Sequence, residues 1–221
     1  RLMLPNPNPL IRVLMFLSMV VVLLFYAAQS VAAEPTATLT TKAKLILEQQ
    51  LDSSKVEHKF RSDVICLAEN IYFEARAESY SGKAAVGNVT RNRVESDSFP
   101  NTYCEVVQQG PVRESWKTKQ DPNLKAVWYP IKHKCHFSWY CDGKKDVIWA
   151  NYEKTGQLIE ANAKAWTDSI QLAIMIAGAT ELQIKDNTKG SLYYYNHNLV
   201  TPYWADHFDY MGVLGNHTFM R

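Results

Sequence analysis

The sequence lacks a strong net charge. Its 221 residues include 24 lysines and arginines against 22 aspartates and glutamates, which gives a formal net charge of only +2. Proteins that bind nucleic acid through its phosphate backbone usually carry a clear excess of cationic groups. The composition therefore gives no electrostatic case for a nucleic-acid partner.

Metal-binding patterns are also missing. The four cysteines form no Cys-x-x-Cys pair, and the six histidines form no His-Glu-x-x-His motif. These spacings are the usual signatures of structural zinc sites and of zinc proteases. The sequence therefore predicts no metal site and no cofactor. Internal repeats and low-complexity tracts are absent too, so the chain is not a repeat array.

An apolar segment near the N-terminus is short for a membrane span. Arg12 precedes the apolar run Val13–Ala28, and a group of small residues ends at Ala33. A spanning helix usually needs about 20 apolar residues, whereas this order of charge, apolar run and small residues is typical of a secretory signal. We expect residues 1–33 to be a signal peptide cleaved before Glu34, with an uncleaved membrane anchor as the alternative. Either way, the protein is exported to the periplasm or the cell exterior.

Export makes disulfide bonds plausible for Cys66, Cys104, Cys135 and Cys141. Four cysteines allow three pairings, and the sequence does not choose among them. Cys135 and Cys141 are close enough to close a small loop. Cys66 is either a free buried thiol or the partner of Cys104.

Hydrophobic spacing predicts a mainly helical α+β domain with a small antiparallel sheet. Residues 34–61 are expected to be a linker with a possible short helix at Lys42–Leu51, and residues 62–221 to be the main domain. The stretch Gly110–Pro130 is expected to be irregular. The other predicted elements are helices from Ser62 or Asp63 to Arg76, over Gly82–Val94 with Ser81 as its cap, and over Asn162–Thr180, a short helix or extended piece at Thr102–Gln109, and strands at Leu192–Asn196 and His217–Met220.

One glutamate interrupts the apolar face of the first long helix. Leu67, Ile71 and Glu74 follow the spacing that places side chains on one helix face. A carboxylate on a buried face loses water, which favours its neutral form. A neutral carboxylic acid near pH 7 can donate a proton to a leaving oxygen. Glu74 is therefore a candidate general acid, and the alternative is a helix-end glutamate that faces solvent or pairs with Arg76.

Six blocks follow one another along the chain: FEARAESY, SGKAAVGNVTRNRV, FPNTYCEVV, CHFSWYCDGK, LYYYNHN and GNHTFM. In that order they resemble the SleB-type cell wall hydrolases, a family named for a spore cortex-lytic enzyme. The resemblance covers about Asp63–Met220 and implies a lysozyme-like fold that cleaves the glycan strands of peptidoglycan. Enzymatically characterised members resemble lytic transglycosylases, which cut between N-acetylmuramic acid and N-acetylglucosamine.

The resemblance implies that Glu74 is the catalytic acid and that Glu78 is the second acidic position of the same block. Ala77 and Ser79 stand where family members usually have Gly and Pro, and both changes leave the acid in place. The Gly110–Pro130 stretch departs from shorter members, which could alter substrate access.

A lytic transglycosylase needs one acid/base group, because the substrate's own C6 hydroxyl attacks in place of water. Glu74 fits this role, and Glu78 would support a two-carboxylate hydrolase if it reached the groove. We expect Glu78 instead to order the turn after the helix, through hydrogen bonds or by pairing with Lys83 or Arg91. Arg76 and Arg93 are expected to be structural ion-pair partners.

Four residues are candidates for substrate binding: Glu78, Ser138, Tyr194 and Asn196. The last three could bind sugar hydroxyls or acetamido groups, or orient Glu74. For each tyrosine the alternative is core packing, and alternation along a strand places Tyr194 on the face opposite Tyr193 and Tyr195. We expect a monomer whose partner is peptidoglycan. The alternative functions are a hydrolytic muramidase or glucosaminidase, a zinc amidase, and a non-catalytic peptidoglycan-binding protein.

Overall fold

The structure, a computed structural model, describes residues 34–181 and 183–221. The predicted signal peptide lies outside the described residues. Six α-helices are present in this part of the chain: α1 (Thr41–Ser53), α2 (His58–Ala75), α3 (Tyr80–Val94), α4 (Tyr103–Val107), α5 (Trp116–Gln120) and α6 (Glu160–Ile176). The strands are β1 (Thr38–Leu39), β2 (Val112–Glu114), β3 (Trp128–Pro130), β4 (Val147–Ile148), β5 (Tyr193–Asn196), β6 (Tyr210–Leu214) and β7 (His217–Met220). These elements confirm the predicted α+β class, with helices dominating.

The core forms where α2 packs against α6, α3 and α4. Leu67 and Ile71 of α2 meet Trp166 and Ile170 of α6, and all four side chains are fully buried. Small residues on α3 allow close approach: a Cβ at Gly87 would lie 2.6 Å from the Cδ1 of an isoleucine on α6. Burial of these side chains is the main stabilising contribution to such a core.

Residues 34–61 are not a linker. Ala43, Leu47 and Leu51 of α1 are buried in the main core, and β1 pairs in parallel with β4. Even the polar end of this stretch, Asp52–Arg61, is mostly helical, because α1 runs to Ser53 and α2 starts at His58. The linker prediction is wrong for a physical reason. The helical spacing of α1 is a local pattern, whereas the surface that buries this helix comes from segments far along the chain.

Helix ends differ from the predictions by a few residues. Helix α3 begins at Tyr80, and its cap is Ser79, whose side chain accepts a hydrogen bond from the backbone N–H of Gly82. This replaces the predicted Ser81 cap. Helix α6 ends at Ile176, before the left-handed Gly178. Such shifts are common, since hydrophobic periodicity fixes a helix better than its ends.

Two disulfides tie the fold together. Cys66 of α2 bonds to Cys104 of α4, with the Cα atoms 5.1 Å apart. Cys135 bonds to Cys141 and closes the predicted small loop. The first bond settles the alternative that the sequence left open for Cys66. The loop that the second bond closes contains a 3₁₀ turn, Ser138–Cys141.

The late strands form an antiparallel sheet in the order β5-β7-β6. Tyr194 of β5 pairs with Phe219 of β7, and Gly212 of β6 lies on the other side of Phe219. Both strands that the sequence predicted here are present. The stretch Gly110–Pro130 is more regular than expected, since β2 and β3 pair as an antiparallel hairpin that carries α5.

None of the helices within residues 34–181 and 183–221 combines the length and hydrophobicity that a membrane span requires.

Candidate active site

Glu74 lies in the last turn of α2, where the helix leaves the main core. The preceding Phe73 stacks on Trp139 of the 3₁₀ turn, with ring centroids 4.5 Å apart. Trp139 also donates a hydrogen bond through Nε1 to the side-chain oxygen of Asn70, at 2.9 Å. These contacts fix the end of α2 against the disulfide loop, so the backbone that carries Glu74 is held rigidly.

The hydroxyl of Tyr194 donates a hydrogen bond to Oε2 of Glu74, with an O–O distance of 3.0 Å. The tyrosine ring packs edge-on against His217 and also contacts Phe219. The second oxygen of Glu74, Oε1, has no hydrogen-bond partner in the part of the chain that the structure describes. One oxygen is thus held by the protein, while the other accepts no hydrogen bond from the described residues.

Strand alternation explains why Tyr194, and not a neighbouring tyrosine, reaches Glu74. Tyr193 and Tyr195 both contact Trp204 on one face of the sheet, whereas Tyr194 faces the helices. This confirms the predicted opposition of the three side chains. Tyr194 orients the candidate acid, which was one of the two roles that the sequence suggested for it.

Burial raises the pKa of Glu74 to about 7, and the hydrogen bond from Tyr194 and the positive charge of Arg93 only partly oppose this rise. Part of the residue surface remains exposed, yet protein atoms surround the carboxyl group closely enough for loss of water to dominate. Burial also raises the pKa of Tyr194 well above its ordinary value, so its hydroxyl keeps its proton and stays a donor. A large fraction of Glu74 is therefore protonated near neutral pH.

Arg93 of α3 is a buried cation enclosed by rings. Its guanidinium lies 4.8 Å from the ring centre of Phe137, 5.3 Å from that of Phe99 and 5.7 Å from that of Tyr193. Nε donates to the carbonyl of Leu192 at 2.7 Å. A cation over aromatic faces is attracted by the ring quadrupoles, most strongly where water is absent.

The expected ion pairs of Arg93 and Arg76 are not found. No salt bridge within 4.0 Å joins either guanidinium to a carboxylate among the described residues, and Arg76 instead lies over the ring of Tyr72. Arg93 acts on Glu74 through its charge, lowering the pKa of that carboxyl. Sequence reasoning missed this role, because Phe99, Phe137 and Tyr193 lie on three separate segments.

Glu78 holds the turn between β6 and β7. Its Oε1 accepts a hydrogen bond from the side-chain amide of Asn216 at 2.7 Å, and its Oε2 accepts one from the backbone N–H of Asn216 at 3.3 Å. Gly215 adopts the left-handed φ of +57° directly beside this carboxylate. Of the two alternatives that the sequence allowed, hydrogen bonding is found, whereas the ion pair is not: Lys83 pairs with Asp168, and Arg91 lies 3.9 Å from Glu95. The fold therefore gives Glu78 a structural contact.

The other two candidates, Ser138 and Asn196, make no hydrogen bond to Glu74 within the part of the chain that the structure describes. Ser138 is exposed at the start of the 3₁₀ turn. The side-chain oxygen of Asn196 accepts a hydrogen bond from the backbone N–H of Asn198 and so orders the loop after β5. The structure therefore brings Tyr194 into contact with Glu74 and adds Arg93, whose charge acts on Glu74. Asn196 has a local hydrogen-bond partner instead.

Zinc ligands are not clustered in this region. Among residues 34–181 and 183–221, no group of three or more His, Cys, Asp and Glu side chains is arranged to hold a metal ion.

Comparison with known proteins gives matches of different extent. Two Bacillus cereus proteins, each named spore cortex-lytic enzyme, are 45% identical over 47 residues, which is 21% of this chain and 18% of the length of those relatives. The catalytic domain of the germination-specific lytic transglycosylase SleB from Bacillus anthracis aligns at 24% identity and a TM-score of 0.39, covering 72% of this chain and 93% of that one. The catalytic domain of the Bacillus cereus SleB protein aligns at 26% identity and a TM-score of 0.41, covering 72% and 89%.

The family model described as Cell Wall Hydrolase matches residues 77–220. The match begins three residues after Glu74 and includes Tyr194, Arg93 and Glu78. It spans well over half of the chain, and the protein therefore belongs to the cell wall hydrolase family.

Proposed function

We propose that this protein cleaves the glycan strands of peptidoglycan as a lytic transglycosylase, between N-acetylmuramic acid and N-acetylglucosamine, with Glu74 as its single acid/base group. The observation that carries the proposal is the state of Glu74: a carboxyl group whose pKa is about 7, held through one oxygen by Tyr194 and open at the other. Membership of the cell wall hydrolase family supports the substrate class.

The first chemical step is proton donation. Protonated Glu74 transfers its proton to the glycosidic oxygen as the bond between that oxygen and C1 of N-acetylmuramic acid breaks. The leaving sugar departs as an alcohol, and positive charge develops on the remaining ring. Tyr194 holds Oε2, so Oε1 is the oxygen that faces the substrate.

The second step uses the same group as a base. The Glu74 carboxylate removes the proton from the C6 hydroxyl of the muramic acid, and that oxygen forms a bond to C1. The product is a 1,6-anhydro ring, and Glu74 is protonated again. The hydrogen bond from Tyr194 and the charge of Arg93 both favour the carboxylate form that exists between the two steps. A pKa near the working pH suits a group that must both donate and accept.

The alternative enzyme, a hydrolytic muramidase, would need a second carboxylate to activate water or to attack the sugar. Glu78, the nearest candidate in sequence, is already bound by the hairpin turn through both oxygens. No observation favours the hydrolytic function over the transglycosylase function. The substrate contacts predicted for Ser138 and Asn196 remain proposals.

The protein acts at the cell wall, so we propose that it is exported through the N-terminal signal. We also propose that it works as a monomer.

The test of the proposed activity is digestion of isolated sacculi by the purified protein, followed by mass spectrometry of the released muropeptides. Anhydro-ended fragments are expected. Fragments with reducing ends would show hydrolysis, and sacculi that bind the protein without being cut would show a binding module.

A further inference from the structure

The hairpin formed by β2 and β3, with α5 between its strands, carries exposed aromatic side chains that nothing in the described chain covers. Trp116 is 74% exposed, Trp128 57% and Tyr129 53%. None of these three rings contacts another ring or lies under a cation among the described residues. Large exposed apolar groups gathered in one place usually mark a binding surface.

Two of the rings border a cavity of about 400 Å³ together with two cations. Arg113 and Tyr129 are directly opposite each other in the hairpin register, so they lie on the same face. Trp116 and Lys119 on α5 complete this side of the cavity. Glu114 also borders it, and its carboxylate accepts a hydrogen bond from the hydroxyl of Thr118. The site thus combines flat apolar faces with positive charge.

The positive charge is a local property. Residues 110–134 contain six lysines and arginines against two acidic residues, a net charge of +4, whereas the whole chain carries +2. None of these six cations forms a salt bridge within the described residues. The charge is therefore available to an anionic ligand.

The hairpin is attached to the segment that positions Glu74. The backbone N–H of Ile131 donates to the carbonyl of Pro111, and that of His136 donates to the carbonyl of Gln109, both at 2.9 Å. The same segment continues into the disulfide loop, whose Trp139 stacks on the residue before Glu74. The hairpin is therefore joined, through one connected segment, to the residues that hold Glu74 in place.

We propose that the cavity bordered by Arg113, Trp116, Lys119 and Tyr129 is an accessory binding site for a peptidoglycan strand. The rings would stack on the apolar faces of the sugars, and the cations would pair with carboxylates of the stem peptides. This inference rests on the proposed function, because it takes the substrate class from there. An anionic membrane surface is the competing ligand, and it is separated by the test.

The test measures binding to sacculi by sedimentation in the Glu74→Gln background, in which cutting does not interfere. Replacing Trp116 and Tyr129 together by Ala is expected to weaken binding about tenfold, from the loss of two aromatic contacts. The conservative pair Trp116→Phe and Tyr129→Phe is expected to keep most of the binding. Unchanged thermal unfolding midpoints show that the variants are folded.

A second pair of exposed aromatic residues, which borders a different cavity, provides a matched control. Trp149 and Tyr152 are 44% and 54% exposed and border a cavity of about 470 Å³, beside Glu153 and Lys154, whose charges oppose each other. Replacing both aromatics by Ala removes a comparable amount of exposed aromatic surface without touching the proposed site. Sacculus binding is therefore expected to stay within about twofold of the parent. Equal losses in the two pairs would overturn the proposal.

Two further comparisons separate the ligands. Arg113→Gln with Lys119→Gln is expected to weaken binding to intact sacculi, but not to sacculi whose carboxylates have been converted to neutral amides. Vesicles with about one third phosphatidylglycerol provide the membrane arm, since anionic surfaces attract clustered cations. If the aromatic variants lost vesicle binding but kept sacculus binding, the surface would be a membrane site and the proposal of a peptidoglycan site would be wrong. Release of muropeptides by the protein with Glu74 intact is scored separately, so failure of the proposed function is not confused with failure of this site.

Discussion

Two glutamates on helix α2 have similar acidity but opposite surroundings. Glu69 and Glu74 each have a pKa raised to about 7 by burial. Both oxygens of Glu69 are occupied, because they accept hydrogen bonds from the backbone N–H groups of Thr36 and Ala37 at 3.1 and 3.2 Å. Glu74 has one oxygen held by Tyr194 and one free.

A raised pKa therefore does not by itself identify the catalytic group. Glu69 is fully enclosed and fastens the N-terminal segment to the core, whereas Glu74 lies at the helix end beside Arg93 and the sheet. Glu74 follows Glu69 by five positions, which is more than one full turn of the helix, so the two side chains leave it in different directions. The oxygen of Glu74 that accepts no hydrogen bond from the described residues, and not acidity, distinguishes them.

The sharpest test of this difference is the same substitution at both positions. Glu74→Gln is expected to lower the rate of muropeptide release on the order of 10³-fold, because the amide cannot donate the proton. Glu69→Gln, the matched control, is expected to retain activity within about threefold at a temperature where it is folded. Both are measured on sacculi by mass spectrometry. A Glu74→Gln protein as active as the parent would remove Glu74 from the mechanism.

Glu69 is expected to show its effect in stability instead. Its pKa is raised in the folded state, so its contribution is fully present below pH 4.5 and is lost as the pH rises through about 7. The shift corresponds to on the order of 3 kcal/mol. Denaturant unfolding at pH 5 and pH 8 should show a smaller pH dependence in Glu69→Gln than in the parent. An identical pH dependence would mean that the carboxylate is well solvated.

Tyr194→Phe tests the side-chain hydrogen bond of Glu74, whereas Glu69 accepts its hydrogen bonds from backbone N–H groups. The bond favours the carboxylate, so its loss should raise the pKa of Glu74 further and move the alkaline limb of the rate profile to higher pH. The maximal rate should fall about tenfold, as for the loss of a hydrogen bond to a charged group. The pH–rate profile is the measurement, and an unmoved alkaline limb would contradict the assigned role.

Glu78 extends the comparison to a third carboxylate, one turn beyond Glu74. Glu78→Gln keeps one acceptor for the two N–H groups of Asn216, so the free energy of unfolding is expected to fall by about 1 kcal/mol. Glu95→Gln removes an exposed carboxylate and is expected to change it by less than about 0.5 kcal/mol. Chemical denaturation compares them. If Glu78→Gln abolished activity without loss of stability, a catalytic role for Glu78 would have to be reconsidered.

The sequence was sufficient for the long helices of the core and for Glu74 as a candidate. Apolar spacing located α2, α3 and α6, since a buried helix face must repeat every three to four residues. Alternation in the Tyr193–Tyr195 run also predicted that Tyr194 would face away from its neighbours. These are local signals, and local patterns survive in any fold that buries the same face.

Contacts between distant segments were beyond such patterns. The burial of α1, the partner of Glu78 in the β6–β7 turn and the rings around Arg93 each join residues far apart in the chain. Glu69 was overlooked as well, although it is as buried as the apolar residues around it. Its local sequence does not indicate the two backbone N–H groups whose hydrogen bonds compensate for its burial.

By itself, the sequence determined which residues repeat on a helix face, which segment alternates as a strand, and that a carboxylate interrupts an apolar stripe at position 74. Only the tertiary structure decided which oxygen of Glu74 is held, which cation stabilises its carboxylate, and why both oxygens of Glu69 are occupied although its acidity is the same. The physical reason is that periodicity is written in neighbouring residues, whereas solvation and hydrogen-bond geometry depend on all segments that meet at one point.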